Sequence, residues 1–154
     1  MTLKARITED MKASMKSGDK LRLTTVRMLI SEIKYIEIAK RRELDDSEVI
    51  EIVGREVKKR LEAIALYDQG GRADLSEKEA MEAEILKNYL PTPLSASEIE
   101  EIITVAISET GATGLKEMGR VMAIIMPQVA GRADGAKVSA EVKTRLGGSA
   151  GGDK

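Results

Sequence analysis

Apolar residues recur every three or four positions along this chain and nowhere alternate with polar ones. Leu3, Ile7, Met11 and Met15 open the pattern. Residues at that spacing share one helix face, whereas a half-buried strand needs a period of two. The β-branched residues fall on the same helical period, so no strand is read anywhere. The expectation is an all-α fold.

The punctuation divides the pattern into seven helices. Ser17-Gly18-Asp19 stops the first and starts the second, which covers about 20–40. Candidate buried positions on the second are Leu21, Val26, Leu29, Ile30, Ile33 and Ile36. Arg41 and Arg42 lie at its C-terminal end, where cations complement the dipole. Asp45 with Glu48 three residues on has capping-box form. It predicts a third helix over about 46–68, with Val49, Ile52, Val53, Val57, Leu61, Ile64 and Ala65 inward. Gly70-Gly71 ends it, and a fourth helix covers about 74–89.

Leu90-Pro91-Thr92-Pro93-Leu94 is the clearest boundary in the chain. Two prolines one residue apart favour a stiff, extended connector. Ser95 and Glu98 form a second capping box and start a fifth helix that runs to Thr110. Met118, Val121, Met122 and Ile125 define the apolar side of a sixth helix over 115–126. Pro127 lacks an N–H and should kink or end it. Gly131 allows a left-handed turn, and Asp134 stands where an N-cap would start a seventh helix over about 135–146. Two helical subdomains result: about four helices in residues 1–90 and a three-helix bundle in 94–147. Residues 148–154 read as a flexible Gly-rich tail.

The residue inventory limits the chemistry. There is no His and no Cys among the 154 residues. The usual general base, the thiol nucleophile and the Cys-based metal site are therefore missing. No Walker A loop or dinucleotide fingerprint occurs. No catalytic residue, cofactor or metal ligand is expected. Gly147-Gly148-Ser149-Ala150-Gly151-Gly152 resembles the glycine-serine signature of amidases. It stands at the end of a helical chain, without the upstream α/β domain, and reads as tail. With no Phe, no Trp and three Tyr, the core must be aliphatic. No run approaches the ~20 apolar residues of a membrane span and no signal peptide is read, so a cytoplasmic protein is the expectation.

Net charge is −1, with an internal imbalance. Residues 1–42 hold 11 Lys/Arg against 5 Asp/Glu, and residues 43–93 hold 7 against 13. The basic first segment either neutralises acidic helices packed beside it or faces a nucleic acid. A second basic group surrounds the sixth and seventh helices. Lys116 and Arg120, four residues apart, share a polar face. Arg132 lies in the turn and Lys137 one turn into the last helix. The four could converge on the N-terminus of the seventh helix, whose free N–H groups favour phosphate. Alternatively, Arg132 and Asp134 are turn and cap residues and the lysines ordinary surface.

Four stretches in order carry a resemblance. They are Asp10-Met11-Lys12 with Arg27-Met28 and Ile33, then Arg55-Glu56-Val57-Lys58-Lys59-Arg60, then Glu84-Ile85-Leu86-Lys87-Asn88-Tyr89-Leu90-Pro91. The last runs from Lys116-Glu117-Met118-Gly119-Arg120-Val121-Met122 to Pro127, with Gly131-Arg132-Ala133-Asp134-Gly135 after it. Over about residues 1–146 the chain resembles the YqeY family. That family is similar to the tail domain of the B subunit of glutamine-dependent aspartyl/glutamyl-tRNA amidotransferase. The resemblance implies a non-catalytic accessory protein associating with tRNA, and translation or tRNA-modifying proteins as further partners. Lys116, Arg120, Arg132 and Lys137 would be the RNA contacts. Such a tail domain reads the tRNA elbow by shape and backbone, which needs phosphate and ribose contacts more than base edges. The family label extends to carbon–nitrogen ligase activity with glutamine as amide donor, but that chemistry would require other chains. The alternative reading is a helical protein-interaction module with no RNA role.

Overall fold

A computed structural model describes the backbone of residues 1–151 and the side chains of residues 1–147. The described residues form seven α-helices and one short 3-10 turn, with no strand among them. The chain divides into two compact units, Met1–Pro91 and Thr92–Lys154.

The first unit holds α1 (Leu3–Ser17), α2 (Lys20–Lys40), α3 (Asp46–Gln69) and α4 (Ala73–Lys87). Its core is aliphatic, built on Ile7, Val26, Leu29, Ile33, Val49, Ile52, Val53, Val57 and Leu86, with Tyr89 as its one aromatic. Each large aliphatic side chain buried there contributes about 1.5–3 kcal/mol of transfer free energy. α3 packs most extensively against α4, and α1 against α2. Local signals set the ends. Thr2 caps α1 by accepting from the Ala5 N–H, and Asp19 caps α2 by accepting from Arg22. Asp45 and Glu48 form both halves of the capping box that starts α3.

Three positions depart from the sequence reading. Met15 is exposed and Ser14 buried in its place, its hydroxyl donating to the Asp10 carbonyl at 2.8 Å. On α3, Leu61 and Ala65 face solvent, and the seam passes through Arg60 instead. That shift is possible because Arg60 meets Glu82 of α4 at 3.3 Å and Glu56 at 3.0 Å. A charge at a core position is tolerated when it is paired and hydrogen-bonded.

The second unit holds α5 (Ala96–Thr110), the 3-10 turn Leu115–Glu117, α6 (Met118–Val129) and α7 (Gly135–Gly151). Ile103, Ala106, Val121, Ile125, Val129, Val138, Val142 and Leu146 are its buried set. The Ser95–Glu98 capping box is complete. Gly131, at φ 74°, makes the left-handed turn between α6 and α7. Pro127 does not end α6, which runs two residues further. Only one intrahelical bond is forfeited, and the Ala130 N–H closes the last turn on the Met126 carbonyl at 3.0 Å. The expected start at residue 115 resolves into the 3-10 turn before α6.

The backbone of α7 is helical to Gly151, past the limit of about 146 read from the glycines. Helix propagation adds a bond per residue, and no proline interrupts it. Of the flexible tail expected over 148–154, residues 152–154 and all the side chains lie outside the described residues.

Candidate nucleic-acid interface

The basic corner is built on the ends of α6. Before it, the loop after α5 is closed by Glu117, whose carboxylate accepts from the Thr113 N–H at 2.6 Å and the Gly114 N–H at 3.1 Å. Those two amides, aided by nearby Arg120 and Lys116, hold the Glu117 carboxyl below its ordinary value. Lys116 is exposed on the 3-10 turn. Arg120 is exposed in the first turn of α6, with one long contact from Nη2 to the Thr110 carbonyl at 3.4 Å.

At the other end of α6, Arg132 is half-buried and tied down. Its Nε donates to the Thr92 carbonyl at 2.9 Å, and its own carbonyl accepts from the Leu94 N–H at 2.8 Å. Arg132 therefore clasps the proline connector onto the α6–α7 turn. Asp134 caps α7 by accepting from the Ala136 N–H at 3.0 Å. Lys137 is exposed in the first turn of α7.

The four sequence-derived residues consequently fall into two pairs. Arg132 and Lys137 share the turn end of α6, and Lys116 with Arg120 share its start. Twelve residues of helix span about 18 Å. The far end of α7 returns to the 3-10 turn, where Gly147 lies beside Leu115. The pairs thus stand at opposite ends of the α6–α7 hairpin and do not gather around the start of α7.

Gly119 separates Met118 from Arg120 on the exposed start of α6. A Cβ there would meet nothing within 4 Å, and its φ is ordinary. Neither space nor backbone conformation within this chain requires glycine. In a helix it costs up to about 1 kcal/mol relative to alanine. It leaves a bare backbone strip beside Lys116 and Arg120.

The other resembling stretches hold the first unit together. The Tyr89 hydroxyl donates to Asp10 Oδ2 at 2.6 Å, and Arg6 lies 5.1 Å over the Tyr89 ring. Arg6 Nη2 also donates to the Asn88 carbonyl at 3.0 Å. Burial, reinforced by the Asp10 carboxylate, pushes the Tyr89 hydroxyl well above its ordinary value and keeps it protonated. The stretches around Asp10 and Tyr89 thus meet in space, and the Arg55–Arg60 stretch supplies the Arg60 ion pairs. Helical spacing does not report this pairing, because it gives the face a residue occupies and not its distant partner. The signal was slight: a charged residue, Arg60, on the continuation of an apolar seam.

Part of the basic excess of residues 1–42 is neutralised locally. Lys4 bridges Glu37 at 2.8 Å and Glu43 at 3.4 Å, while Lys40 and Arg42 both reach Glu48.

These features define a class, that of all-helical two-unit proteins with basic side chains at a helical hairpin and no His or Cys in the sequence. Within that class the chain belongs to the family described as Yqey-like protein, whose model matches residues 4–146. It is 34% identical over 140 residues to the Altered inheritance of mitochondria protein 41, mitochondrial, of Kluyveromyces lactis. That match covers 90% of this chain and 73% of the relative. The protein of the same name in Pyrenophora tritici-repentis is 30% identical over 146 residues, covering 92% and 80%. The one in Lachancea thermotolerans is 38% identical over 97 residues, covering 62% and 52%.

These names correct the cytoplasmic expectation. All three relatives are called mitochondrial, so a sequence with no membrane span and no recognised signal peptide does not place a protein of this family in the cytoplasm.

Proposed function

We propose that the chain is a non-catalytic accessory protein that associates with tRNA through the α6–α7 hairpin of its second unit. The observation that carries the reading is Gly119, an exposed helical glycine with no role in packing, set between Lys116 and Arg120. A bare backbone flanked by cations is what close approach of a sugar–phosphate strand needs. The two basic pairs, separated by about 18 Å of helix, suit a ligand that spans several phosphates better than a single anion. The resemblance to the amidotransferase tail domain supports tRNA as that ligand, recognised by shape.

The test is tRNA binding at increasing salt. Lys116→Ala with Arg120→Ala, and separately Lys137→Ala, should weaken binding. Each lost contact should flatten the log–log salt slope by roughly 0.7–0.9. Gly119→Ala should weaken binding while raising thermal stability. The control is Lys78→Ala, an exposed residue on α4. Absence of tRNA binding at low salt, or variants no different from the control, would make the reading untenable.

A further inference from the structure

α2 buries one face and leaves a patterned face open. Thr25, Val26, Leu29 and Ile33 are buried against the rest of the first unit. On the other side stand Thr24, Met28, Ser31, Tyr35 and Ile38, all exposed. Their spacing alternates four and three, which is the seam of a coiled coil. Three of them are large and apolar: Met28 exposes 51% of its surface, Tyr35 71% and Ile38 77%. Isolated exposed apolar residues need no explanation, but a seam of them on one helix does.

The surface of this seam is open and only shallowly grooved between its side chains. A shallow groove of about 550 Å³ is lined by Thr24, Arg27, Met28, Ser31, Glu32 and Tyr35. These six residues make two successive four-residue holes, 24/27/28/31 and 28/31/32/35. Holes of that composition receive the knobs of a facing helix.

The edge of the seam sets the charge of the partner. Lys20, Arg27 and Lys34 follow one another at seven-residue intervals, and Arg41 continues the series at the C-cap. All four are exposed, and none makes a salt bridge within 4.0 Å among the described residues. Lys34 feels Glu37 only through the longer-range field. On the opposite edge Glu32 is the single acidic group. An antiparallel second copy would set this basic edge against itself, and a parallel one would bring only Glu32 to it. Like charges across an interface oppose association.

We propose that the exposed face of α2 is a docking site for an acidic amphipathic helix of a partner protein. Apolar side chains of that helix would fill the holes around Met28 and Tyr35, and its acidic edge would lie along Lys20, Arg27 and Lys34. The site is independent of the tRNA reading, which rests on the second unit.

The probe is a synthetic amphipathic peptide of about four heptads, with Leu at both seam positions and Glu along both edges. Its like-charged edges oppose self-pairing, so it is free to bind. The full chain should bind it, more weakly as salt rises. Arg27→Glu with Lys34→Glu should weaken binding by roughly tenfold or more, and a Lys-edged peptide should restore it. Tyr35→Asp with Ile38→Asp should abolish binding of both peptides. A peptide that fails to bind, or whose binding ignores the charge exchange, overturns the proposal. So does sedimentation showing a dimer of the chain that Ile38→Asp disrupts, since the occupant is then a second copy. Loss of tRNA binding in Arg27→Glu/Lys34→Glu also overturns it and assigns the face to RNA. The charge exchange alters only exposed side chains, so it reads the site even where the aspartate variant unfolds.

Discussion

The phenol of Tyr89 is buried and has one strong partner, the Asp10 carboxylate at 2.6 Å. Removing the hydroxyl leaves a partly buried carboxylate without its donor, and an orphaned polar group of this kind costs about 1–3 kcal/mol. Tyr89→Phe should lower the denaturant midpoint accordingly with the m-value unchanged. An unchanged midpoint would show that water replaces the phenol at Asp10. This contact joins residues 79 apart. Sequence periodicity reports which face a residue occupies but not which distant residue it meets, so the pairing could not be read in advance. Arg41 was legible only as a helix-end cation. In the structure it is the one described non-glycine residue with positive φ, at 57°. A Cβ in that conformation costs about 1 kcal/mol, partly offset in glycine by chain entropy. Arg41→Gly should therefore stabilise the first unit, by about 0.5 kcal/mol. A loss of stability would mean that the arginine side chain holds something the backbone does not show.

Helix ends were legible where a side chain caps its own backbone, because the signal is local. The Asp45–Glu48 and Ser95–Glu98 boxes stand as their spacing implied. Helix faces were less so. The apolar spacing of α3 points Leu61 and Ala65 inward, but Arg60 takes the seam, only 6% exposed, because acidic residues of α3 and α4 receive it. Arg60→Ala should cost about 3–5 kcal/mol by leaving Glu82 buried and unpaired. Arg60→Met with Glu82→Leu should recover most of that loss, since an apolar pair fills the same space without desolvating charge. Failure of the double variant to recover would place the importance of Arg60 in its bond to the Glu56 carbonyl. The carboxylates at element junctions predict a pH dependence. Glu37 is held low by Lys4 and the Leu44 N–H, Glu48 by Arg42 and Lys40, and Glu117 by the Thr113 and Gly114 amides. Each has a folded value below the unfolded value of 4.5, so its stabilisation is present above that pH and is lost as pH falls through the folded value. Unfolding midpoints should drop below about pH 4.5, and Glu48→Gln should flatten that decline. A midpoint that holds steady to strongly acid pH would contradict these assignments.

At the scale of the whole molecule, the two units have separate closed cores, and Leu90-Pro91-Thr92-Pro93-Leu94 runs between them. Two prolines one residue apart hold the backbone extended there, whereas the single Pro127 is carried inside α6. The clasp on the connector was not legible, because it uses the Arg132 guanidinium on a backbone carbonyl 40 residues away. That clasp lies wholly within the second unit. Residues 92–154 make a small domain, which buries a modest fraction of its surface and should be the less stable of the two. Heating the full chain should therefore give two transitions, the lower belonging to the second unit. Arg132→Ala frees the Thr92 carbonyl and should lower the first transition while leaving the second in place. It should also speed proteolytic cleavage near Thr92. A single transition that moves as a whole would show the units to be one cooperative body. The same division separates the two proposed binding activities. A fragment of residues 92–154 should retain tRNA binding without the acidic peptide, and a fragment of residues 1–91 should retain the peptide without tRNA. If both activities follow one fragment, one of the two surfaces has been assigned to the wrong ligand, and the α2 charge exchange identifies which.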